Sequence, residues 1–185
     1  MPEFAYTLFP TAVGTCGIAW GDNGIVAVQL PEASESATAA RLLRAHRGAC
    51  RRRADPGQQR NIDDIVALLA GEPRDLRHLR LDLTRVAPFH RRVFEVVRNI
   101  APGQTRSYGE VAALCGQHHA ARAVGQAMAR NPFPLIVPCH RVLAAGGRSG
   151  GFSARGGVST KLRLLAIEGA VCSPAASAGN LSLAF

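Results

Sequence analysis

Apolar residues alternate with small or polar ones from residue 4 to residue 30, with an interruption at Gly21-Asp22-Asn23-Gly24. A period of two marks strands with one buried face, and a Gly/Asn/Asp cluster between two such runs predicts a β-hairpin. The period then changes. Residues 34–46 place Ala37, Ala40, Leu42 and Leu43 at helical spacing behind Ser34, a residue type that caps helices. Residues 47–60, with Arg51-Arg52-Arg53 and Asp55-Pro56-Gly57, fit neither period and predict an exposed loop; its basic run is either a solvated surface or a second nucleic-acid contact. Asn61 stands where it would cap a helix ending at Leu69 before Gly71, and Leu79, Leu81 and Leu83 predict one more strand over residues 78–84. Residues 1–80 therefore read as an α/β support domain without a constellation that carries chemistry.

From Pro88 onward the spacing is mostly helical. Phe89, Val93, Val97 and Ile100 form one stripe with Arg91, Arg92 and Arg98 off it, and Pro102-Gly103 ends the helix. Ser107-Tyr108-Gly109-Glu110 has the Ser-x-x-Glu form of a capping box and opens a short helix to Leu114. After Gly116 and a turn, residues 121–130 predict a second helix rich in small residues, with Arg122 at its N-terminal end; two short helices joined this way have the shape of a helix-turn-helix. Gly146-Gly147 and Gly150-Gly151 suggest a hairpin, residues 152–157 a flexible loop, and residues 159–168 a helix with Leu162, Leu165 and Ala166 inward.

Composition narrows the classes. The chain has 185 residues, 47% hydrophobic, which is enough for one large domain or two small ones with a core. Its net charge of +9 is nearly all arginine, since Lys161 is the only lysine, and suggests a polyanionic partner unless it reflects only the base composition of the source. Five cysteines without a CxxC pair argue against a disulfide framework, and Cys16, His46, Cys50 and His78 match no standard zinc spacing. No apolar run reaches the length of a membrane span and no secretion signal is evident, so a cytoplasmic location is expected.

The candidate chemistry lies at residues 131–142, NPFPLIVPCHRV. The prolines fix the backbone and predict a rigid extended segment delivering Cys139 beside His140. Taken alone, Cys139 is either a small buried hydrophobe or a nucleophile activated by a neighbouring base. Glu168, in a last helical turn where the macrodipole disfavours a carboxylate, is either solvated or the third member of a Cys-His-acid relay.

The order SYGEVAALCG, ARAVGQAMARNPFPLIVPCHRV and KLRLLAIEG closely resembles the O6-alkylguanine-DNA alkyltransferase family, over about residues 89–169 and more weakly over 1–80. The resemblance implies an RNase H-like α/β N-terminal domain (1–80), then a mainly helical C-terminal domain (86–170) with a helix-turn-helix of winged-helix type; residues 173–185 have no counterpart in it and read from their low complexity as a mobile tail. It implies direct-reversal DNA repair by a methylated-DNA–protein-cysteine S-methyltransferase, which transfers an alkyl group once from guanine O6, and from thymine O4, to Cys139. His140 would act as base through a water, Glu168 would orient it, Tyr108 would assist the departing guanine, and Asn131 would hold the turn before Cys139. Arg122 would fill the space left by a flipped base, with Ala121, Ala123, Gly125, Thr105 and Ser107 also against the minor groove of double-stranded DNA. Val142, Phe152, Ser153 and Met128 would form the substrate pocket, with the Cys139 and Val142 carbonyls accepting from the guanine amine. No metal or cofactor and no membrane contact are implied, and a monomer is expected. The loop 153–157 is two residues longer than the common family pattern. A non-enzymatic lesion-binding relative, a thiol hydrolase and a plain helix-turn-helix regulator are the alternatives; Cys139 argues against the first and last.

Overall fold

The computed structural model describes residues 3–170; Cys172 and the tail 173–185 lie outside them. The first part is α/β. Strands β1 (Ala5–Thr11), β2 (Gly14–Gly21) and β3 (Gly24–Gln29) form an antiparallel meander, so the single hairpin expected is two, and the turn at residues 12–13 lacks the Asn-Gly signal of the second. Helix α1 (Glu35–Leu43) starts at Ser34, whose side chain accepts from the Ala37 amide. The stretch expected to be a loop contributes an edge strand, β4 (Cys50–Arg51), parallel to β1, giving the order β3-β2-β1-β4.

Helix α2 (Pro56–Leu69) begins earlier than predicted, because Asp-Pro-Gly here is a helix start and not a turn. The Asp55 carboxylate accepts from the Gly57 and Gln58 amides at 2.8 and 2.9 Å, and Pro56 takes a first-turn position where no amide donor is needed. Asn61 is therefore inside the helix.

The strand expected over residues 78–84 is also absent. Only one bridge forms, Ile25 to Leu81, with the Ile25 amide donating to the Arg80 carbonyl and the Asp82 amide to the Ile25 carbonyl. Gly24 is needed at this approach, since its φ is +124° and a Cβ there would lie 2.5 Å from the Arg80 carbonyl oxygen. Carbonyls in and beside this stretch accept instead from arginines of α3 (Pro88–Arg98): Arg98 donates to Leu79 and to the flanking Arg77, and Arg91 to Thr84 and the flanking Val86. Arg98, placed off the apolar stripe by its charge, thus latches the connection to α3. Phe94, absent from the predicted stripe, is buried with Val93 and Val97.

The second part is mainly helical: α3, α4 (Tyr108–Leu114), α5 (Ala121–Ala129) and α6 (Val158–Ile167), with a two-residue pair β5 (Arg106–Ser107) and β6 (Val142–Leu143). The Ser107–Glu110 capping box forms as predicted. No glycine hairpin follows Leu143; a short turn closed by the Ala144 amide on the Arg148 carbonyl stands there. Helix α6 buries Leu165 as predicted, but together with Lys161 and Leu164, while Leu162 is 42% exposed and Ala166 is exposed, so the predicted inward face holds only in part. A lysine occupies an inward position that hydrophobic spacing would not assign.

One contiguous core joins the sheet and α2, through Ile18, Ile25 and Ile65, to Val93, Phe133, Val137 and Leu164. Phe94 meets Phe133 edge to face at 6.2 Å, and the Val28 amide of β3 donates to the Pro132 carbonyl at 2.8 Å. The proline-rich segment is thereby built into the core of both parts. Replacing Asp55 by Ala is expected to cost about 1 kcal/mol, read as a lower urea midpoint, while Asn61→Ala stays within about 0.5 kcal/mol. Equal losses at the two positions would remove Asp55 as the cap.

Candidate active site

The segment before Cys139 is rigid but turned, not extended. The Asn131 side chain closes it, donating through Nδ2 to the Val137 carbonyl at 2.8 Å and accepting at Oδ1 from the Phe133 amide at 2.9 Å. The Val137 amide donates to the Phe133 carbonyl, and Leu135 at the turn has φ 75°, the one non-glycine residue with positive φ among those described. Proline forbids helix around it but does not by itself dictate a straight chain. The turn presents Cys139 at the start of a single 3-10 turn, Cys139–Arg141.

Cys139 is 6% exposed, and burial pushes its thiol up; the Asn131 amide and the Lys161 ammonium oppose that shift without cancelling it. The resting group is a thiol, so any reaction at sulfur needs a base. His140 is fully buried, and burial lowers its pKa in spite of the Glu168 carboxylate, so the ring is neutral at pH 7. Its Nε2 lies 2.9 Å from Glu168 Oε1. A carboxylate accepts only, so the ring proton sits on Nε2 and the lone pair on Nδ1. Nδ1 is buried with no hydrogen-bond partner among the described residues, which leaves it available as the base.

Burial would raise the Glu168 carboxyl, but hydrogen bonds from His140 and Arg141 outweigh it and hold the group down to about 2. Arg141 is bidentate, with Nε 2.8 Å from Oε2 and Nη2 2.7 Å from Oε1. The awkward carboxylate at the end of α6 is thus neither solvated nor merely a relay member; it is also half of a buried ion pair.

A cavity of about 370 Å³ opens in front of the sulfur, lined by Tyr108, Gly125, Met128, Cys139, Phe152 and Ser153 together with Ala129 and Gly151. Six residues predicted for catalysis, DNA contact or the pocket therefore meet at one place. Tyr108, half-buried, keeps its phenol proton because burial and then the nearby Cys139 raise its pKa. Gly150, with φ +64°, lets the chain pass close to that ring: a Cβ there would lie 3.5 Å from the phenol oxygen. Arg122 is exposed on α5, with Ala121, Ala123 and Gly125 partly exposed beside it and Val124, Ala127 and Met128 turned inward. Thr105 and Ser107 are half-buried, and the Ser107 oxygen serves the α4 cap. Val142 does not line the cavity: its side chain is in the core and its carbonyl accepts from Lys161 Nζ at 2.6 Å. No group of three His, Cys, Asp or Glu residues among those described is placed to hold a metal, and no helix among them is long and apolar enough to cross a membrane.

The profile of the family described as 6-O-methylguanine DNA methyltransferase, DNA binding domain, matches residues 88–170. The methylated-DNA–protein-cysteine methyltransferase of Methanothermobacter thermautotrophicus is 35% identical over 157 residues, covering 83% of this chain and 78% of that protein. The chain belongs to this family. The crystal structure of Mycobacterium tuberculosis O6-methylguanine methyltransferase superposes with a TM-score of 0.70 at 32% identity, over 94% of this chain and 96% of that one. That of Mycobacterium tuberculosis OGT in complex with DNA gives a TM-score of 0.70 at 33% identity, over 89% and 92%. These methyltransferases share the arrangement of an α/β part followed by a mainly helical part seen here.

Two members of the site had no role assigned from sequence. Arg141 follows the Cys-His pair, yet nothing local says that it pairs with Glu168. Lys161 is fully buried, donates to the Val142 carbonyl and stands 5.9 Å from the centre of the Tyr108 ring. The one available signal was its being the sole lysine among 22 basic residues, a compact ammonium where the chain otherwise uses guanidinium.

Both acid-linked shifts in this methyltransferase point one way. His140 is held below its ordinary 6.5 and Glu168 below its ordinary 4.5, so each contributes stability that is present above those values and lost as pH falls. The fold is expected to lose stability progressively below about pH 6.5, and by a few kcal/mol in all between pH 4.5 and 2 from Glu168. Denaturant midpoints against pH test this, with Glu168→Gln expected to flatten the acid limb; an unchanged limb would remove Glu168 as its origin.

Proposed function

We propose that this chain repairs alkylated DNA by direct reversal, taking one alkyl group from guanine O6, or thymine O4, onto Cys139. The observation that carries the reading is a lone buried thiol at the wall of a cavity bounded by both short helices, with a carboxylate-oriented neutral imidazole beside it. The thiol proton passes through a water to His140 Nδ1. The sulfur then forms a bond to the alkyl carbon as the carbon–O6 bond breaks, and the electron pair stays on the guanine. Tyr108 supplies the proton that neutralises the leaving base, and the proton held by His140 restores Tyr108 through solvent. The product is a thioether, which has no path back to thiol here, so one molecule performs one transfer.

In this reading residues 1–80 are an RNase H-like support domain and 86–170 a winged-helix type helix-turn-helix domain, acting as a monomer on the minor groove. Arg122 enters the stack when the base flips out, and the small residues Ala121, Ala123 and Gly125 allow close approach. The Cys139 carbonyl accepts from the guanine amine and the Ser153 amide faces O6, while Val142, which does not line the cavity, holds Lys161. A lesion-binding reading has some support, since the DNA base-flipping protein of Thermus thermophilus is 44% identical over 107 residues, 58% of this chain and 70% of that one. Cys139 and its base favour the transferase.

Incubation with an O6-methylguanine duplex is expected to add one methyl group to Cys139 in one-to-one amount, as read by intact mass, and none in Cys139→Ala. Binding of the lesion without modification of the wild type would establish the binder instead. For Arg122→Ala, repair of duplex DNA should slow by about tenfold or more, with little change on free O6-benzylguanine; equal losses on both would remove its role in flipping.

A further inference from the structure

We propose that Arg41, on α1 of the N-terminal part, sets how large an alkyl group the Cys139 pocket admits, by pinning the wall residue Ser153. The proposal rests on the reading of the Cys139 cavity as the alkyl pocket and adds a specificity-determining residue outside it.

Behind the alkyl cavity lies a second one of about 230 Å³ between α1 and the active-site segment, lined by Arg41, Leu42, Ala45, His46, Arg130 and Asn131 among others. The two cavities share Ala129, Cys139, Phe152 and Ser153. The partition between them is thus Phe152 and Ser153, with the nucleophile at its foot. This is also the start of the lengthened loop that the family pattern did not explain.

The two sides of that loop are held differently. Its later residues are tied to the first turn of α6: Thr160 Oγ1 donates to the Arg155 carbonyl, Ser159 Oγ to the Gly156 carbonyl, and the Gly157 amide to the Ala154 carbonyl. Ser153 is reached from the opposite side, by Arg41 Nη2 donating to its carbonyl at 3.1 Å. Arg41 is itself aimed. Its Nε lies 3.2 Å from Glu32 Oε1, and that carboxylate, 15% exposed, also accepts from Gln29 Nε2 while the Glu32 amide donates to Thr38 Oγ1. Leu42, the next residue, is buried and fixes α1 on the sheet. A guanidinium oriented by a carboxylate and carried on a rigid helix is a fixed strut against the wall, and one whose removal empties no core space.

With the strut in place the alkyl cavity ends at Ser153, which suits small groups. Without it the partition can swing toward α1, joining the second cavity to the first and giving an aromatic alkyl group room beside the sulfur. Arg41 is therefore a positioning residue: it touches neither base nor sulfur and acts through Ser153.

The test is single-turnover transfer to Cys139 from duplexes carrying O6-methylguanine or O6-benzylguanine, followed by intact mass, for the wild type, Arg41→Ala, Arg41→Lys and Glu32→Ala. The expected result is a benzyl-to-methyl rate ratio that rises about fivefold in Arg41→Ala, rises less in Glu32→Ala, and stays near wild type in Arg41→Lys, which keeps a donor. General loosening of the fold would lower both rates together and leave the ratio unmoved. An unmoved ratio in Arg41→Ala, whether both rates hold or both fall, overturns the proposal, as does a ratio that falls. Absence of methyl transfer in the wild type would instead remove the repair reading on which the proposal rests.

Discussion

The Glu168 carboxylate is the group on which the site depends. It is buried at the C-terminal end of α6, and both oxygens are used: Oε1 by His140 and Arg141, Oε2 by Arg141. An unpaired carboxylate there would cost several kcal/mol, and the helix dipole adds to that cost. The Arg141 guanidinium offsets the charge and, through Nη1, also donates to the Ile100 carbonyl, two residues past the end of α3. One carboxylate thus joins α6, the turn carrying the nucleophile and α3. Removing a single partner from such a pair typically costs 3–5 kcal/mol, so the imidazole orientation and the fold are not separable properties here.

This arrangement holds the cysteine as a thiol in the resting protein. Many reactive cysteines are exposed in electropositive surroundings that stabilise the thiolate. Cys139 is buried, its thiol is raised, and the imidazole beside it is neutral. Under the single-transfer reading proposed above, a buried thiol of this kind would be shielded from oxidants and stray electrophiles. The Lys161 ammonium, held on the Val142 carbonyl, already acts electrostatically on Cys139, so the proposed transfer would find positive charge in place when the proton leaves.

What was legible in the sequence followed from local rules. The Ser34 cap, the Ser107–Glu110 box and the two short helices each depend on a few neighbouring residues, and each formed as read. Three of the failures share another cause. Residues 78–84 alternate as a strand should, but the Leu79 and Thr84 carbonyls were claimed by arginines from a helix later in the chain. On α6 only Leu165 of the predicted inward face is buried, because Lys161 points into the core, which hydrophobic spacing excludes. The pairing of Arg141 with Glu168 spans residues far apart in sequence, and only the closed fold brings them together. Asp55-Pro56-Gly57 failed for a different reason, since the same three residues are good signals for a turn and for a helix start.

Leu135 shows how the nucleophile is positioned against local preference. A left-handed backbone costs a non-glycine residue roughly 1–2 kcal/mol, and nothing in the segment 131–138 favours it locally. Yet Leu135 is 2% exposed, and burying a leucine side chain contributes about 1.5–3 kcal/mol, enough to offset the strain. Glycine would relieve the backbone and forfeit the burial. The two Asn131 hydrogen bonds add a further contribution of about 1 kcal/mol each and fix the direction of the turn. Prolines alone would give a stiff segment with no preferred endpoint. It is the buried leucine and the asparagine bridge that turn it back and set Cys139 at the cavity wall.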